Sequence, residues 1–174
     1  PESLSTNSRY RRMFLPFILG TIFCWQLITL PDNILPMILK IFGSYFLLLF
    51  TITDIEQEVI FDAMQLPFVI LGLFFTLMTE MPITNHLTAA LGGGFIFLII
   101  AILTRGGIGG GDIKLIAALG IWFGTEKLLT IACIGFLMGG LFAFGLLISK
   151  RKKRTDYFAY GPFFTLTALF YFLF

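Results

Sequence analysis

Residues 127–149 read KLLTIACIGFLMGGLFAFGLLIS, and Lys127 is the only charged residue among them. A helix of this length can cross a hydrocarbon core about 30 Å thick. Similar apolar blocks recur along the 174 residues, which are 57% apolar and only 13% charged. Soluble domains carry about 25% charged residues because water must solvate their surface. The composition therefore excludes ordinary soluble classes and predicts an all-α, polytopic transmembrane helix bundle.

Apolar runs predict about seven spans within a single domain covering residues 1–174. They lie at 13–30, 34–53, 64–79, 87–104, 112–124, 127–149 and 160–174. Turn residues separate several of them, at Pro31-Asp32-Asn33, Glu80-Met81-Pro82 and Gly124-Thr125-Glu126. The span at 112–124 is short and needs a thin bilayer or neighbouring helices that cover its ends. Glycines at 120, 124, 135 and 139 predict close packing between helices.

Basic residues predict the orientation of the bundle. Alternating spans place one set of them on a single side, namely Arg9, Arg11, Arg12, Arg105, Lys114 and the run 150–154. The opposite loops hold only Lys127, and Lys40 lies inside a span. Cytoplasmic loops carry an excess of Lys and Arg, so the basic side is predicted to face the cytoplasm. The run 150–154 is interpreted as a topology anchor that contacts anionic membrane lipid, and no nucleic-acid partner is expected.

Cysteine and histidine usage argues against metal or cofactor chemistry. Cys24 and Cys133 lie within separate apolar blocks and are expected to be small buried hydrophobes. The single histidine, His86, is predicted to lie in a loop on the far side. No zinc-ligand set and no Ser-His-Asp arrangement is visible, so no cofactor is expected. The chain opens at Pro1 without methionine or a visible signal peptide, which suggests that sequence precedes it.

An acidic stretch, TDIEQEVIFD at residues 53–62, follows the second predicted span. Asp54 comes directly after an apolar run, so it is expected near membrane depth. An ionised carboxylate at that depth is expensive unless it is paired or reaches water. The alternative interpretation is the start of an ordinary solvated loop.

A glycine-rich stretch, RGGIGGGDIK at residues 105–114, lies between two other apolar spans. Glycine adopts backbone angles closed to other residues and lets another chain approach closely. A phosphate-binding loop would require a Gly-Lys-Ser/Thr ending, whereas here Asp112 would repel phosphate. The alternative interpretation is that Asp112 only stabilises a helix N-terminus.

Both stretches are predicted on the same face, and each contributes one acid at the membrane boundary. Two carboxylates brought close together cannot both ionise cheaply, so they share a proton. One can then act as a base toward water while the other acts as an acid toward a peptide carbonyl. An ion-coupled transporter also uses membrane acids and broken spans, and a non-catalytic assembly component would need neither acid. These alternatives stay open at this point.

Several motifs resemble those of a known family. Gly109-Gly110-Gly111-Asp112 resembles the Gly-x-Gly-Asp signature of membrane-embedded aspartyl proteases. The residues that follow, 113–115 and 117–120, are similar to those of the type IV prepilin peptidases in particular. The Asp54 stretch, ending Ile60-Phe61-Asp62, resembles the first acidic motif of that family, and Tyr160-Gly161-Pro162-Phe163 resembles its last turn. The resemblance covers nearly the whole chain, with the motifs in the family's order.

The resemblance implies a leader peptidase of the bacterial cytoplasmic membrane whose active site faces the cytoplasm. Such enzymes cut the basic leader from prepilins or pseudopilins, after a glycine, at the border of the substrate's apolar helix. The family's catalytic pair falls on Asp54 and Asp112, and supporting positions fall on Gly109, Gly111, Asp62 and Lys114.

This chain departs from the family pattern in two respects. Phe61 stands where many members have proline. The additional N-terminal span and the Cys-x-x-Cys loop of the N-methylating members are absent from this sequence, so methyltransferase activity and zinc gain no support from it. Oligomeric state is not predicted.

Overall fold

A computed structural model describes residues 18, 20–22, 24–25, 33–149 and 160–173. These residues form helices joined by turns, with no strand in the described part of the chain, which confirms the all-α class. The helices are α1 (Ile34–Gln57), α2 (Asp62–Met78), α3 (Ile83–Leu103), α4 (Gly110–Ile148) and α5 (Gly161–Leu173).

Three described segments are long and apolar enough to cross a membrane. They are α1, α3 and the portion Gly110–Gly145 of α4, while α2 and α5 are apolar but shorter. The chain is therefore an integral membrane protein with a helical fold, but the predicted count of about seven spans is not confirmed. Most of the predicted span 13–30, and the basic residues Arg9, Arg11, Arg12 and 150–154, lie outside the described residues.

Helix α4 is broken at Gly124, whose φ of 68° and ψ of −176° are not helical. Ile116 precedes this break and Leu128 follows it, yet both side chains lie against Gly93 of α3. Twelve residues of straight helix would separate them by about 18 Å. The chain therefore folds back at Gly124, at the predicted turn Gly124-Thr125-Glu126, and α4 consists of two antiparallel arms.

The break in α4 leaves backbone groups that side chains of α2 and α3 satisfy. In an unbroken helix the Ile121 carbonyl would accept from the Thr125 N–H, but that N–H points to Asn85 Oδ1 at 3.4 Å. The Ile121 carbonyl oxygen instead lies 2.7 Å from His86 Nδ1 and accepts from Thr76 Oγ1 at 2.9 Å. His86 is buried in the first turn of α3, so the predicted loop position of this residue is wrong. Its contacts assign it a structural role at the break.

Trp122 joins three helices at the centre of the bundle. Its ring stacks on Phe68 and Phe75 of α2, each at 5.3 Å, and meets Phe172 of α5 edge-on at 5.1 Å. Its Nε1 donates to the Phe68 carbonyl oxygen at 2.9 Å. A Cβ on Gly72 would lie 2.6 Å from Nε1 of this ring, so glycine makes the approach possible. Lipid provides little hydrophobic drive between helices, and such close van der Waals contact supplies the attraction instead.

The outer surface of the bundle is apolar. Leu91 and Leu103 are each 75% exposed, and Leu141 is 67% exposed. Exposed apolar area on this scale is unusual for a soluble monomer and is what a lipid environment permits. Cys24 and Cys133 also lie on the surface, so the prediction that they are buried is wrong. Apolar blocks predict contact with apolar surroundings, but they do not separate the protein core from lipid.

Successive helices alternate in direction, so the bundle has two ends. One end, the aspartate end, carries the α1–α2 connection, the α3–α4 connection and the start of α5. Arg105 and Lys114 lie at this end, as predicted. The opposite end carries the α2–α3 turn and the Gly124 break, with His86 and Lys127 beside it.

Candidate active site

Asp54 lies in the last turn of α1. The sequence predicted that this span stops at residue 53, but the helix continues to Gln57, so the predicted loop position of Asp54 is wrong. No glycine or proline interrupts residues 54–57, and the helix ends only where Glu58 turns left-handed, with a φ of 52°. The Glu58 N–H still donates to the Asp54 carbonyl oxygen at 3.0 Å. Asp54 is therefore held within the helical backbone, and it is only 4% exposed.

Asp112 lies in the first turn of α4, at the position that the sequence predicted. Arg105 and Gly106 have φ values of 53° and 90°, which turn the chain sharply after α3. The Gly109 carbonyl oxygen then accepts from the Asp112 and Ile113 N–H groups at 3.1 and 3.3 Å, and these bonds form the first turn of α4. Asp112 is 3% exposed.

The two aspartates line the same cavity, which has a volume of about 190 Å³. Their carboxylates are close enough for their charges to interact. The remaining walls come from the α1–α2 connection and the glycine stretch, at Glu58, Val59, Ile60, Gly109, Gly110 and Gly111. A cavity of this volume has room for several water molecules. The fold therefore brings two buried carboxylates from different helices to one small cavity.

Gly161, the first residue of α5, packs directly against Asp54. A Cβ at this position would overlap Asp54 Oδ2, so only glycine leaves the carboxylate in its place. The Gly161 N–H points toward the same carboxylate. Asp54 Oδ2 has no hydrogen-bond partner among the described residues. A buried carboxylate oxygen without a partner carries a large desolvation cost, so it remains ready to accept a proton or a water molecule.

The predicted supporting residues divide into two groups. Gly109 and Gly111 line the cavity, and a Cβ on Gly111 would lie 3.2 Å from Ile60 Cβ. Asp62 and Lys114 lie outside the cavity and pair with each other at 2.6 Å. Both of these side chains are mostly exposed, and exposed ion pairs contribute only about 0–1 kcal/mol.

Gln65 is a site residue that the sequence analysis missed. It lies on α2, is 6% exposed, and donates from Nε2 to the Gly111 carbonyl oxygen at 3.2 Å. The available signal was an amide inside the apolar span 64–79, because a buried polar side chain must find a partner.

Within the described residues, no group of three or more His, Cys, Asp or Glu side chains could hold a metal ion. The two buried carboxylates that line the cavity are those of Asp54 and Asp112.

Comparisons with known proteins agree with the resemblance seen in the motifs. The family described as type IV leader peptidases matches residues 41–144, a segment that includes both aspartates. A prepilin leader peptidase/N-methyltransferase from Neisseria gonorrhoeae is 33% identical over 149 residues, which cover 82% of this chain and 48% of that protein. The protein of the same name from Aeromonas salmonicida (strain A449) is 28% identical over 126 residues, covering 69% of this chain and 43% of the relative.

A third relative with that name, from Bacillus subtilis (strain 168), is 36% identical over 70 residues, which cover 40% of this chain and 28% of the relative. The chain spans about half the length, or less, of the curated relatives that it matches. No solved structure gives a significant match. Because the family match covers well over half of the residues and the two aspartates, this chain belongs to the type IV leader peptidase family.

Proposed function

We propose that this chain is an aspartic endopeptidase that removes the basic leader from type IV prepilins or pseudopilins. One observation carries the proposal: Asp54 and Asp112, buried on different helices, line one small cavity at the aspartate end of the bundle. The names of the relatives support the same class of substrate.

The proposed reaction uses one ionised and one protonated carboxylate. The ionised carboxylate removes a proton from water as the water oxygen attacks the peptide carbonyl carbon. The protonated carboxylate donates its proton to the carbonyl oxygen, and the tetrahedral intermediate forms. Proton transfer to the leaving nitrogen then breaks the C–N bond and releases an acid and an amine. Ionising both carboxyl groups in one cavity would place two negative charges close together, which is costly. The expected state therefore has one ionised carboxylate and one protonated carboxyl group.

The substrate would lie along the glycine stretch. A helical substrate hides its peptide carbonyls in backbone hydrogen bonds, so the segment around the cut must be extended before attack. Gly109, Gly110 and Gly111 offer a wall without side chains, which lets an extended backbone approach the aspartates. The apolar part of the substrate would remain in the membrane.

The charges at the aspartate end fit a basic leader. Glu58 lines the cavity and Glu56 lies in the last turn of α1, and these acids would attract Lys and Arg residues of a leader. Arg105 and Lys114 lie at the same end, and an excess of basic residues favours the cytoplasmic side. We therefore place the aspartate end at the cytoplasmic face of a bacterial inner membrane, with residues 1–174 acting as one domain.

Leader release from a purified substrate tests this proposal. The protein, reconstituted in lipid nanodiscs, is incubated with a prepilin that carries a basic leader and an apolar helix, and the products are identified by mass. Asp54→Asn and Asp112→Asn keep the side-chain shape and remove the titrating acid, so each should lower kcat by at least about 10²-fold. Asp62→Asn, which breaks only an exposed ion pair, should lower kcat no more than a few-fold.

The outcome separates this proposal from the two alternatives. Wild-type activity in either the Asp54 or the Asp112 variant would remove that residue from the catalytic pair. An ion-coupled transporter would release no leader, and the same substitutions would abolish solute uptake into vesicles. An assembly component would release no leader and would support pilus formation without either aspartate.

A further inference from the structure

Helices α2 and α4 meet at two contacts that bracket Asp112. On α2, Asp62 and Gln65 are three residues apart, and on α4 the same spacing separates Gly111 and Lys114. Residues at this spacing share one face of a helix. Gln65 Nε2 donates to the Gly111 carbonyl oxygen at 3.2 Å, and Lys114 Nζ donates to Asp62 Oδ2 at 2.6 Å. Asp112 lies between the two contacted residues of α4.

The two contacts differ in strength because they differ in burial. The side chains of Asp62 and Lys114 are 70% and 57% exposed, so water and salt screen their attraction. Gln65 is 6% exposed, so little water can replace its hydrogen bond to the Gly111 carbonyl oxygen when that bond is lost. The Gln65 contact therefore provides most of the restraint.

The position of the contacted carbonyl is what makes Gln65 matter. The Gly111 carbonyl belongs to the planar peptide group that ends at the Asp112 nitrogen, so holding its oxygen also limits rotation of the Asp112 backbone. The glycines at 109–111 have no side chains through which packing could hold them. A carbonyl oxygen has two lone pairs, so this one can accept both the bond within α4 and the Gln65 bond.

We propose that Gln65 is a positioning residue that holds the Gly111–Asp112 peptide group, so that the Asp112 carboxylate faces Asp54 across the cavity. The activity readout of this proposal rests on the proposed peptidase function, whereas the contact itself can be tested without it. Gln65 does not touch the cavity that holds the two carboxylates, so it acts through Gly111.

The direct test is Gln65→Met, which keeps the length and removes the amide. A misplacement of about 1 Å at a reacting group can cost about 10²-fold in rate. The variant should therefore lower kcat by about 10- to 100-fold while KM stays within about twofold, because the substrate still meets the same walls. A kcat within about twofold of wild type would overturn the positioning role.

Thr76→Val is the matched control. Thr76 lies on the same helix as Gln65, is fully buried, and also donates to a carbonyl of α4, that of Ile121 at 2.9 Å. Its contact is at the opposite end of the bundle, so its loss should lower the unfolding temperature in nanodiscs without changing kcat. If both variants lose kcat only in proportion to lost folded protein, Gln65 is merely structural and the proposal fails.

Amide hydrogen exchange tests the contact independently of cleavage. The Asp112 N–H belongs to the Gly111–Asp112 peptide group, and both it and the Ile113 N–H donate to the Gly109 carbonyl oxygen. Both N–H groups should exchange faster in Gln65→Met than in wild type. The same amides should be unchanged in Thr76→Val. Faster exchange in a protein that cleaves no prepilin would keep the Gln65 contact and refute the peptidase function, whereas unchanged exchange would refute the Gln65 proposal alone.

Discussion

At the scale of single residues, the position of the Asp54 carboxylate on α1 depends on the backbone of α5. Its Oδ2 atom is buried without a hydrogen-bond partner in the described chain, and Gly161 leaves the space that the carboxylate occupies. Burying a carboxylate in this way costs free energy, which neighbouring contacts in the bundle must offset. Among the described residues, Asp54 Oδ2 is the buried side-chain oxygen without a partner, and it lies in the cavity that also holds Asp112.

Gly161→Ala should therefore inactivate the site by displacing Asp54. The added Cβ would overlap Asp54 Oδ2, so the carboxylate must move, and kcat for leader release should fall by about 10²-fold. Gly140→Ala is the control, since no described atom lies within 4 Å of its added Cβ. Equal kcat in the two variants would show that the position of Asp54 does not limit the reaction.

Sequence patterns singled out the two aspartates and the glycines beside Asp112, but not Gln65. Asp54 and Asp112 stand out because each follows or precedes a long apolar run. Gln65 carries no charge and sits inside an apolar run, so its sequence looks like that of an ordinary membrane helix. Its importance arises from a contact with Gly111, 46 residues away.

At the scale of secondary-structure elements, the packing of the first arm of α4 against α3 sets the register of the aspartate end. The arm from Gly110 to Gly124 packs against α3, and a Cβ on Gly120 would lie 2.5 Å from the Ala90 nitrogen. Such close backbone contact fixes how far Asp112 extends toward the end of the bundle. The break itself depends on Gly124, whose backbone angles other residues rarely adopt.

Gly124→Ala should destabilise the bundle. Alanine at a positive φ costs about 1–3 kcal/mol, and its Cβ would also lie 2.7 Å from Asn85 Nδ2. The unfolding temperature in nanodiscs should fall, and kcat per folded molecule should stay unchanged because the break lies at the opposite end. Gly92→Ala, in α3, adds its Cβ where no described atom lies within 4 Å, and should not lower that temperature. An equal unfolding temperature in both variants would refute a special role for the conformation of Gly124.

At the scale of the whole molecule, the alternating helices separate two sets of polar groups. The cavity and the acidic residues around it lie at the aspartate end, and His86 lies with Lys127 at the opposite end. The outer surface of the bundle carries large exposed apolar side chains, such as those of Leu91 and Leu103, and lipid would cover this surface. The orientation of this bundle decides which side of the membrane the site can serve.

Labelling from one side of the membrane tests the proposed orientation. After Cys24→Ala and Cys133→Ala remove the described thiols, Gln57→Cys and Glu80→Cys place one thiol at each end, and both positions are exposed. In intact cells a membrane-impermeant maleimide should label position 80 and not position 57. Permeabilised cells provide the control, because both positions should then react. Labelling of position 57 alone in intact cells would show the opposite orientation and contradict the proposed one.

The amino-acid sequence by itself indicated the membrane environment, the helical fold and the main turns, and it singled out Asp54 and Asp112 as candidate site residues. Apolar blocks report directly on the surroundings that a chain needs, and an acid at the edge of such a block is chemically conspicuous. Only the tertiary structure decided that Asp54 and Asp112 line one cavity, that Gly161 makes room for Asp54, and that the cysteines lie on the surface. These features depend on contacts between residues far apart along the chain, and local sequence patterns carry no record of such contacts.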